Sequence, residues 1–246
     1  MDVALPWLAP GDPFPTPESA WGLDTPAPGL LAAGGSLDTE TLCRAYAQGT
    51  FPWFSDGQPI LWWAPDPRMV LQVNQFKLHP SLRKTLKKFQ NSPECSITVD
   101  KAFSRVIRTC ATQSRKGQNG TWIVPSMVEA YERLHALGVA HSVETWVDDK
   151  LIGGLYFVAL GKAVFGESMF AHVTDASKIA LAALVCIAKA QGVPWIDCQQ
   201  NTRHLASLGA AEIPRKAFVA DIQALSSEPD PLWVFESVYW SQLLSR

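Results

Sequence analysis

In the segment PSLRKTLKKFQ, residues 80–90, apolar Leu82, Leu86 and Phe89 recur at helical spacing, which predicts a helix with one buried face. Arg83, Lys84, Lys87 and Lys88 then fall on the opposite face, as a stripe suited to phosphate contacts. Ser36-Leu-Asp-Thr-Glu predicts a helix start capped by Ser36 or Asp38, with Leu42, Ala45 and Tyr46 following and an end near Gly49. SITVD reads as a strand and KAFSRVIRTCAT as a helix exposing Arg105 and Arg108. SRKGQNG is a basic loop, and PSMVEAYERLHALG an amphipathic helix closed by Gly138. From His141 to Phe170 the pattern predicts successive antiparallel strands, turned at Asp148-Asp149-Lys150 and at Gly161-Lys162. Thr174 or Asp175 caps a helix that runs to Gln191 and stops at Gly192 and Pro194. WIDCQ is a short buried strand, and HLASLGA a helical turn ending at Gly209.

Residues 1–36 are rich in proline and glycine and predict irregular structure. In ILWWAPDPRMVL, Pro65 and Pro67 argue against a regular central strand, so this segment reads as a hinge. The organisation expected is a small N-terminal domain, residues 1–66, and a larger domain, residues 67–246. The order of elements gives an α+β, mixed α/β protein with a largely antiparallel sheet.

Composition narrows the setting. At 246 residues, 47% hydrophobic, with ten tryptophans, the chain carries enough apolar surface for a full core. The opening MDVALPWLAPGDPFP has no basic n-region, so no secretory signal is expected. The longest apolar run, Ile179 to Ala188, is too short to cross a bilayer, and no membrane partner is expected. Five cysteines (43, 95, 110, 186 and 198) form no CxxC pair and leave an odd count, which predicts reduced thiols in the cytoplasm. Five histidines show no ligand spacing, so no metal is expected; no cofactor is expected either. A monomer is the expected state.

The formal net charge of −2 conceals a strong segregation. Residues 1–76 carry 2 basic and 8 acidic side chains, residues 77–118 carry 10 and 2, and residues 119–246 carry 9 and 13. Such segregation serves polyanion binding, or is a solvated helix face.

Several residues stand out as chemistry. Strand alternation puts Asp197 and Gln199 on one face of WIDCQ and Cys198 on the other. The carboxylate could hold the amide NH₂ and free the amide oxygen to accept from a substrate N–H; otherwise the two groups merely satisfy loop backbone. Glu167, in FGESMF, is a carboxylate within an apolar run, and such a group is paired or used. It is either the polar anchor of a pocket or is satisfied by backbone or by Lys178. Trp53 in FPWF and Trp122 in GTWI are candidates for stacking on a nucleobase, or are core. Cys198, pointing away, is a poor nucleophile candidate. Gly-rich phosphate loops are absent, so the transferred group should arrive already activated.

GTFPWF, PILWWAPDPR, GTWI, AHSVE, FGESMF, DASKIALAAL, DCQ and HLASLGA follow one another in this order. Together, from about Gly34 to Phe218, they resemble the leucyl/phenylalanyl-tRNA–protein transferase family. The resemblance implies transfer of leucine or phenylalanine, and less readily methionine, from aminoacyl-tRNA to proteins with an N-terminal Arg or Lys, marking them for N-degron proteolysis. It also implies a larger domain of acetyltransferase (GNAT) type. Its catalytic carboxylate and amide fall on Asp197 and Gln199, and its ESMF glutamate on Glu167. The tryptophans that sandwich the terminal adenosine fall on Trp53 and Trp122. Met169 would line the side-chain pocket with Leu155, Val164 and Leu184, and Arg83, Lys84, Lys87 and Lys88 would meet tRNA phosphates. The mechanism expected is proximity, with Asp197 orienting Gln199 and Gln199 accepting from the attacking amine. Two rivals remain. An acyl-CoA-dependent acetyltransferase would need a [QR]xxGx[GA] turn, which is absent. A non-catalytic RNA-binding module would leave Glu167, Asp197 and Gln199 without a task.

Overall fold

The computed structural model describes residues 4–113 and 123–245, so the predicted basic loop and Trp122 lie outside the described residues. Among the described residues the strands form two sheets. The smaller has the order β1-β2-β4-β3 and is built from β1 (Trp7–Leu8), β2 (Leu30–Gly34), β3 (Phe51–Pro52) and β4 (Leu61–Trp63). The expectation of irregular structure across residues 1–36 is therefore corrected. LLAAG is a strand buried along its whole length, and a strand covered on both faces carries no alternation to read. Gly34 permits its pairing with β1, since a Cβ there would lie 2.6 Å from the Leu8 carbonyl oxygen.

The larger sheet has the order β11-β5-β10-β9-β8-β7-β6. Its strands are β5 (Arg68–Gln72), β6 (Cys95–Val99), β7 (Ala140–Val147), β8 (Lys150–Leu160), β9 (Ala163–Ala171), β10 (Trp195–Asp197) and β11 (Ala211–Ile213). β5 lies inside this sheet, so the hinge segment does contain a regular strand. Pro65 and Pro67 precede its first residue and cost the ladder nothing. The sheet is antiparallel throughout except where β10 runs parallel to β9.

Helices follow the apolar periodicity. α1 (Thr39–Ala47) starts at Asp38, whose carboxylate accepts from the Thr41 backbone N–H at 2.8 Å. α2 (Pro80–Gln90) buries Leu82, Leu86 and Phe89, as its spacing predicts. α3 (Phe103–Thr112), α4 (Pro125–Ala136) and α5 (Ala176–Gln191) follow, then the short α6 (Arg203–Ser207) and α7 (Arg215–Leu225). Asp175 precedes α5 but does not cap it. Its backbone is left-handed and its carboxylate takes the Lys178 ammonium at 2.8 Å.

Two apolar layers sandwich the larger sheet. α2 and α5 cover one face, against Val143, Leu155, Phe157 and Val164. α3 and α4 cover the other through Phe103, Val106, Tyr131 and Leu134, and this layer runs on into α1 and the smaller sheet. The apolar run in α5 is thus a core helix, buried from Ile179 to Ala188. Among the described residues no helix is long and apolar enough to cross a membrane.

Candidate active site

The parallel neighbours β9 and β10 pair only at Ile196↔Val164 and Asp197↔Phe165. β10 then stops while β9 continues to Ala171. Polar side chains gather where the two strands part. On β9 the pairing with β8 shifts by one residue, with Phe157 opposite Gly166 and Tyr156 opposite Ser168. Glu167 is the extra residue of this β-bulge: it faces Tyr46 as Phe165 does, and the change of face falls after it, on Met169. Its carboxylate accepts from the Tyr46 hydroxyl of α1 at 2.7 Å and the Tyr131 hydroxyl of α4 at 3.3 Å. The two phenol oxygens also lie within hydrogen-bonding distance of each other, and with one proton apiece they serve two of these three contacts at a time.

Although part of the residue remains open to solvent, the Glu167 carboxyl is enclosed, and this burial pushes its pKa up from 4.5 to about 7. The phenol donors and the Arg68 charge pull it down, and the Asp197 charge adds to the rise. Near neutral pH both protonation states are therefore populated. Tyr46 and Tyr131 are themselves driven well above the usual phenol range by burial and by Glu167, so they remain donors. Lys178, the sequence candidate for pairing with Glu167, is engaged with Asp175 instead.

Asp197 has a different environment. It is fully buried and forms a two-pronged ion pair with Arg68, whose side chain is 1% exposed: Nε to Oδ1 at 2.8 Å and Nη2 to Oδ2 at 2.6 Å. The guanidinium lies between the rings of Phe51 and Phe218, with Cζ 4.8 and 4.5 Å from their centroids. It also donates through Nη1 to the Gly49 carbonyl at 2.9 Å. Sequence reasoning missed Arg68, although an arginine opening an otherwise apolar strand was the available signal.

The expected side-chain relay from Asp197 to Gln199 is corrected in its geometry. β10 ends at Asp197, and Gln199 is left-handed at φ 56°, so alternation does not extend to it. Asp197 Oδ1 accepts from the Gln199 backbone N–H at 3.0 Å. The Gln199 amide NH₂ donates instead to the Gly166 carbonyl at 2.7 Å, with Glu167 Oε1 at 3.5 Å. The amide nitrogen is therefore committed across the gap between β10 and β9. The Cys198 thiol is pushed up strongly by burial, away from thiolate chemistry.

The remaining predicted residues occupy three places. Leu155, Val164 and Leu184 are buried in the layer beneath α5, with half-buried Met169 packed on it. Leu155 and Met169 are direct partners across β8 and β9. Because of the bulge, Met169 joins this layer while Glu167 turns to the two tyrosines. Trp53 is half-buried, its ring 5.4 Å from that of Trp63, whose Nε1–H donates to the Trp53 carbonyl. Lys84, Lys87 and Lys88 are exposed on α2, whereas Arg83 is half-buried and reaches the Leu244 carbonyl at 3.4 Å. Among the described residues no cluster of side chains suits a metal ion.

Comparison with known proteins gives this geometry a family. Profiles described as leucyl/phenylalanyl-tRNA protein transferase and as its N-terminal domain match residues 70–223 and 35–66. Relatives named leucyl/phenylalanyl-tRNA–protein transferase include one from a Polaromonas species, 63% identical over 98% of this chain and 94% of its own. Another, from Albidiferax ferrireducens, is 60% identical over 98% and 95%. The chain belongs to this family. Among solved structures, a GCN5-related N-acetyltransferase from Kribbella flavida is similar at a TM-score of 0.35 and 9% identity, over 68% of this chain and 58% of its own. L-PGS from Bacillus licheniformis is similar at 0.40 and 10%, over 87% and 72%. The family's two profiles meet this chain on either side of Pro67, where the two sheets also divide.

Proposed function

We propose that the chain transfers leucine or phenylalanine, and less readily methionine, from aminoacyl-tRNA to proteins beginning with Arg or Lys, as a cytoplasmic monomer marking them for proteolysis. The observation that carries this reading is the junction of Gln199, Gly166 and Glu167 at the parting of β9 and β10. It offers a carboxyl poised near neutrality and a fixed amide, but no activated thiol. An aminoacyl ester is already activated and needs no covalent enzyme intermediate, since the acceptor's attacking α-amine has an ordinary pKa of about 8 and is partly neutral at pH 7. Proximity then supplies much of the rate.

Gln199 presents its amide oxygen to the incoming amine, because Gly166 holds the nitrogen end. Asp197 acts on this step through the Gln199 backbone. The amine nitrogen bonds to the ester carbonyl carbon as the bond from that carbon to the ribose oxygen of the tRNA breaks. Glu167 takes the amine proton and returns it to the leaving ribose oxygen, which departs as a hydroxyl. Met169, Leu155, Val164 and Leu184 shape the pocket for an apolar side chain. Trp53 and Trp122 hold the terminal adenosine, and Arg83, Lys84, Lys87 and Lys88 hold tRNA phosphates. Residues 1–66 and 67–246 form the two domains of this arrangement.

The test is incubation with radiolabelled Phe-tRNA or Leu-tRNA and a peptide beginning with Arg, without ATP. Label should enter the Arg peptide and a Lys peptide, and not a peptide beginning with Asp. Transfer regardless of the first residue, or none from either donor, would overturn the proposal.

A further inference from the structure

The basic segment does not form one surface. α2 packs with α5 on one face of the larger sheet and α3 with α4 on the other, and β6, the edge strand, runs between them. Lys84, Lys87 and Lys88 therefore lie on one side of that edge and the cations at the start of α3 on the other.

On the α3 side there is a cleft of about 430 Å³ whose lining includes Lys101, Ser104, Arg105, His135 and Trp146. Lys101 Nζ stands 5.2 Å and Arg105 Cζ 5.3 Å from the centroid of the Trp146 ring. Two cations thus share one aromatic floor. That floor is fixed, since Trp146 is 6% exposed and its Nε1–H donates to Thr98 Oγ1 at 2.8 Å. Among the described residues neither cation has a carboxylate partner. Asp100, which also lines the cleft, is committed to His141 Nδ1 and to the Ser142 backbone N–H. One turn further along α3, by contrast, Arg108 is neutralised by a two-pronged pair with Glu132.

We propose that the cleft of Lys101, Arg105 and Trp146 is a second RNA-binding subsite, taking a phosphodiester of the donor's backbone. The inference rests on the proposed use of aminoacyl-tRNA. The RNA strand would cross the β6 edge, with α2 holding phosphates on one side and this cleft on the other. Two unpaired like charges held on one ring repel each other, and an anion bridging them relieves that repulsion. Phosphate contacts of this kind add affinity without reading sequence.

The experiment measures tRNA binding against NaCl concentration for the parent, Lys101→Ala/Arg105→Ala and Arg108→Ala. The double variant should weaken binding about tenfold at low salt and lower the salt slope by about one to two. Arg108→Ala should match the parent, and KM in transfer should rise for intact aminoacyl-tRNA but not for an aminoacyl-adenosine donor. Parental affinity and slope in the double variant would overturn the subsite. A raised KM for the acceptor peptide with tRNA binding intact would also overturn it, assigning the cleft to an acidic stretch of the acceptor. Failure of the parent itself to bind tRNA or transfer from it would instead refute the functional reading beneath.

Discussion

Glu167 and Asp197 are enclosed carboxylates on neighbouring strands, and they are held by opposite means. Asp197 meets a full positive charge in fixed two-pronged geometry, with its second layer built from Phe51, Phe218 and Gly49. Glu167 meets only neutral phenols, and burial outweighs their help. The ion pair makes Asp197 a strut for the backbone at Gln199. Neutral donors leave Glu167 able to change charge near neutral pH. Proximity in space therefore does not imply a shared role.

The largest expected effect comes from removing the strut's partner. Arg68→Met strands the Asp197 charge in the interior and should cost about 3–5 kcal/mol, a fall in Tm on the order of 10 °C for a chain of this size. Arg68→Met with Asp197→Leu should regain much of the stability without regaining transfer, measured by thermal unfolding and turnover together. Full activity in the stable double variant would refute the strut.

Gln199→Ala should lower kcat roughly 10²-fold with little change in donor KM if the amide acts on the attacking amine as proposed. Glu167→Gln should lower kcat less at pH 6 than at pH 8, since glutamine resembles the protonated form. In the parent, kcat should rise with pH through about 7 as Glu167 ionises. The variant should keep only the limb near pH 8 that belongs to the amine. An unchanged profile in Glu167→Gln would remove Glu167 from the reaction.

Tyr46→Phe is subtler. Losing one donor costs about 1 kcal/mol and should move the Glu167 limb to higher pH. The sign for stability follows from the raised folded pKa. Glu167 favours the folded state fully below its ordinary 4.5, and this contribution is lost as pH rises through about 7. In Tyr46→Phe the loss should extend to higher pH, which urea titrations at pH 5, 7 and 8.5 would resolve. Smallest of all, Cys198→Ser should leave turnover within about twofold, as its thiol is not a nucleophile.

Much of this architecture was legible from periodicity. The α2 face, the β7–β8–β9 meander and the ends of α5 lie where the apolar pattern puts them. β2 and β5 were hidden, one by burial on both faces and one by the prolines before it. Glu167 drew attention as a charge in an apolar run, and it shares the face of Phe165 as alternation expects, but the bulge that turns Met169 to the opposite layer depends on the register with β8, which no single strand encodes. For the same reason Arg68 went unnoticed: its partner lies 129 residues away. Alternation misplaced Gln199 because β10 is only three residues long.

The Arg68 guanidinium also touches both parts of the chain, through the Gly49 carbonyl and the Phe51 ring on one side and Asp197 and Phe218 on the other. Gly49 leaves little slack there, since a Cβ at its position would come within 3.2 Å of Phe218 and Ile222. The N-terminal segment is consequently not a detachable module. A chimera that exchanges residues 1–66 for another family member's should stay active only if the donor supplies the glycine and the aromatic ring around this cation. Grafts cut between Gly49 and Phe51 would mismatch a joint that a cut at residue 36 leaves whole.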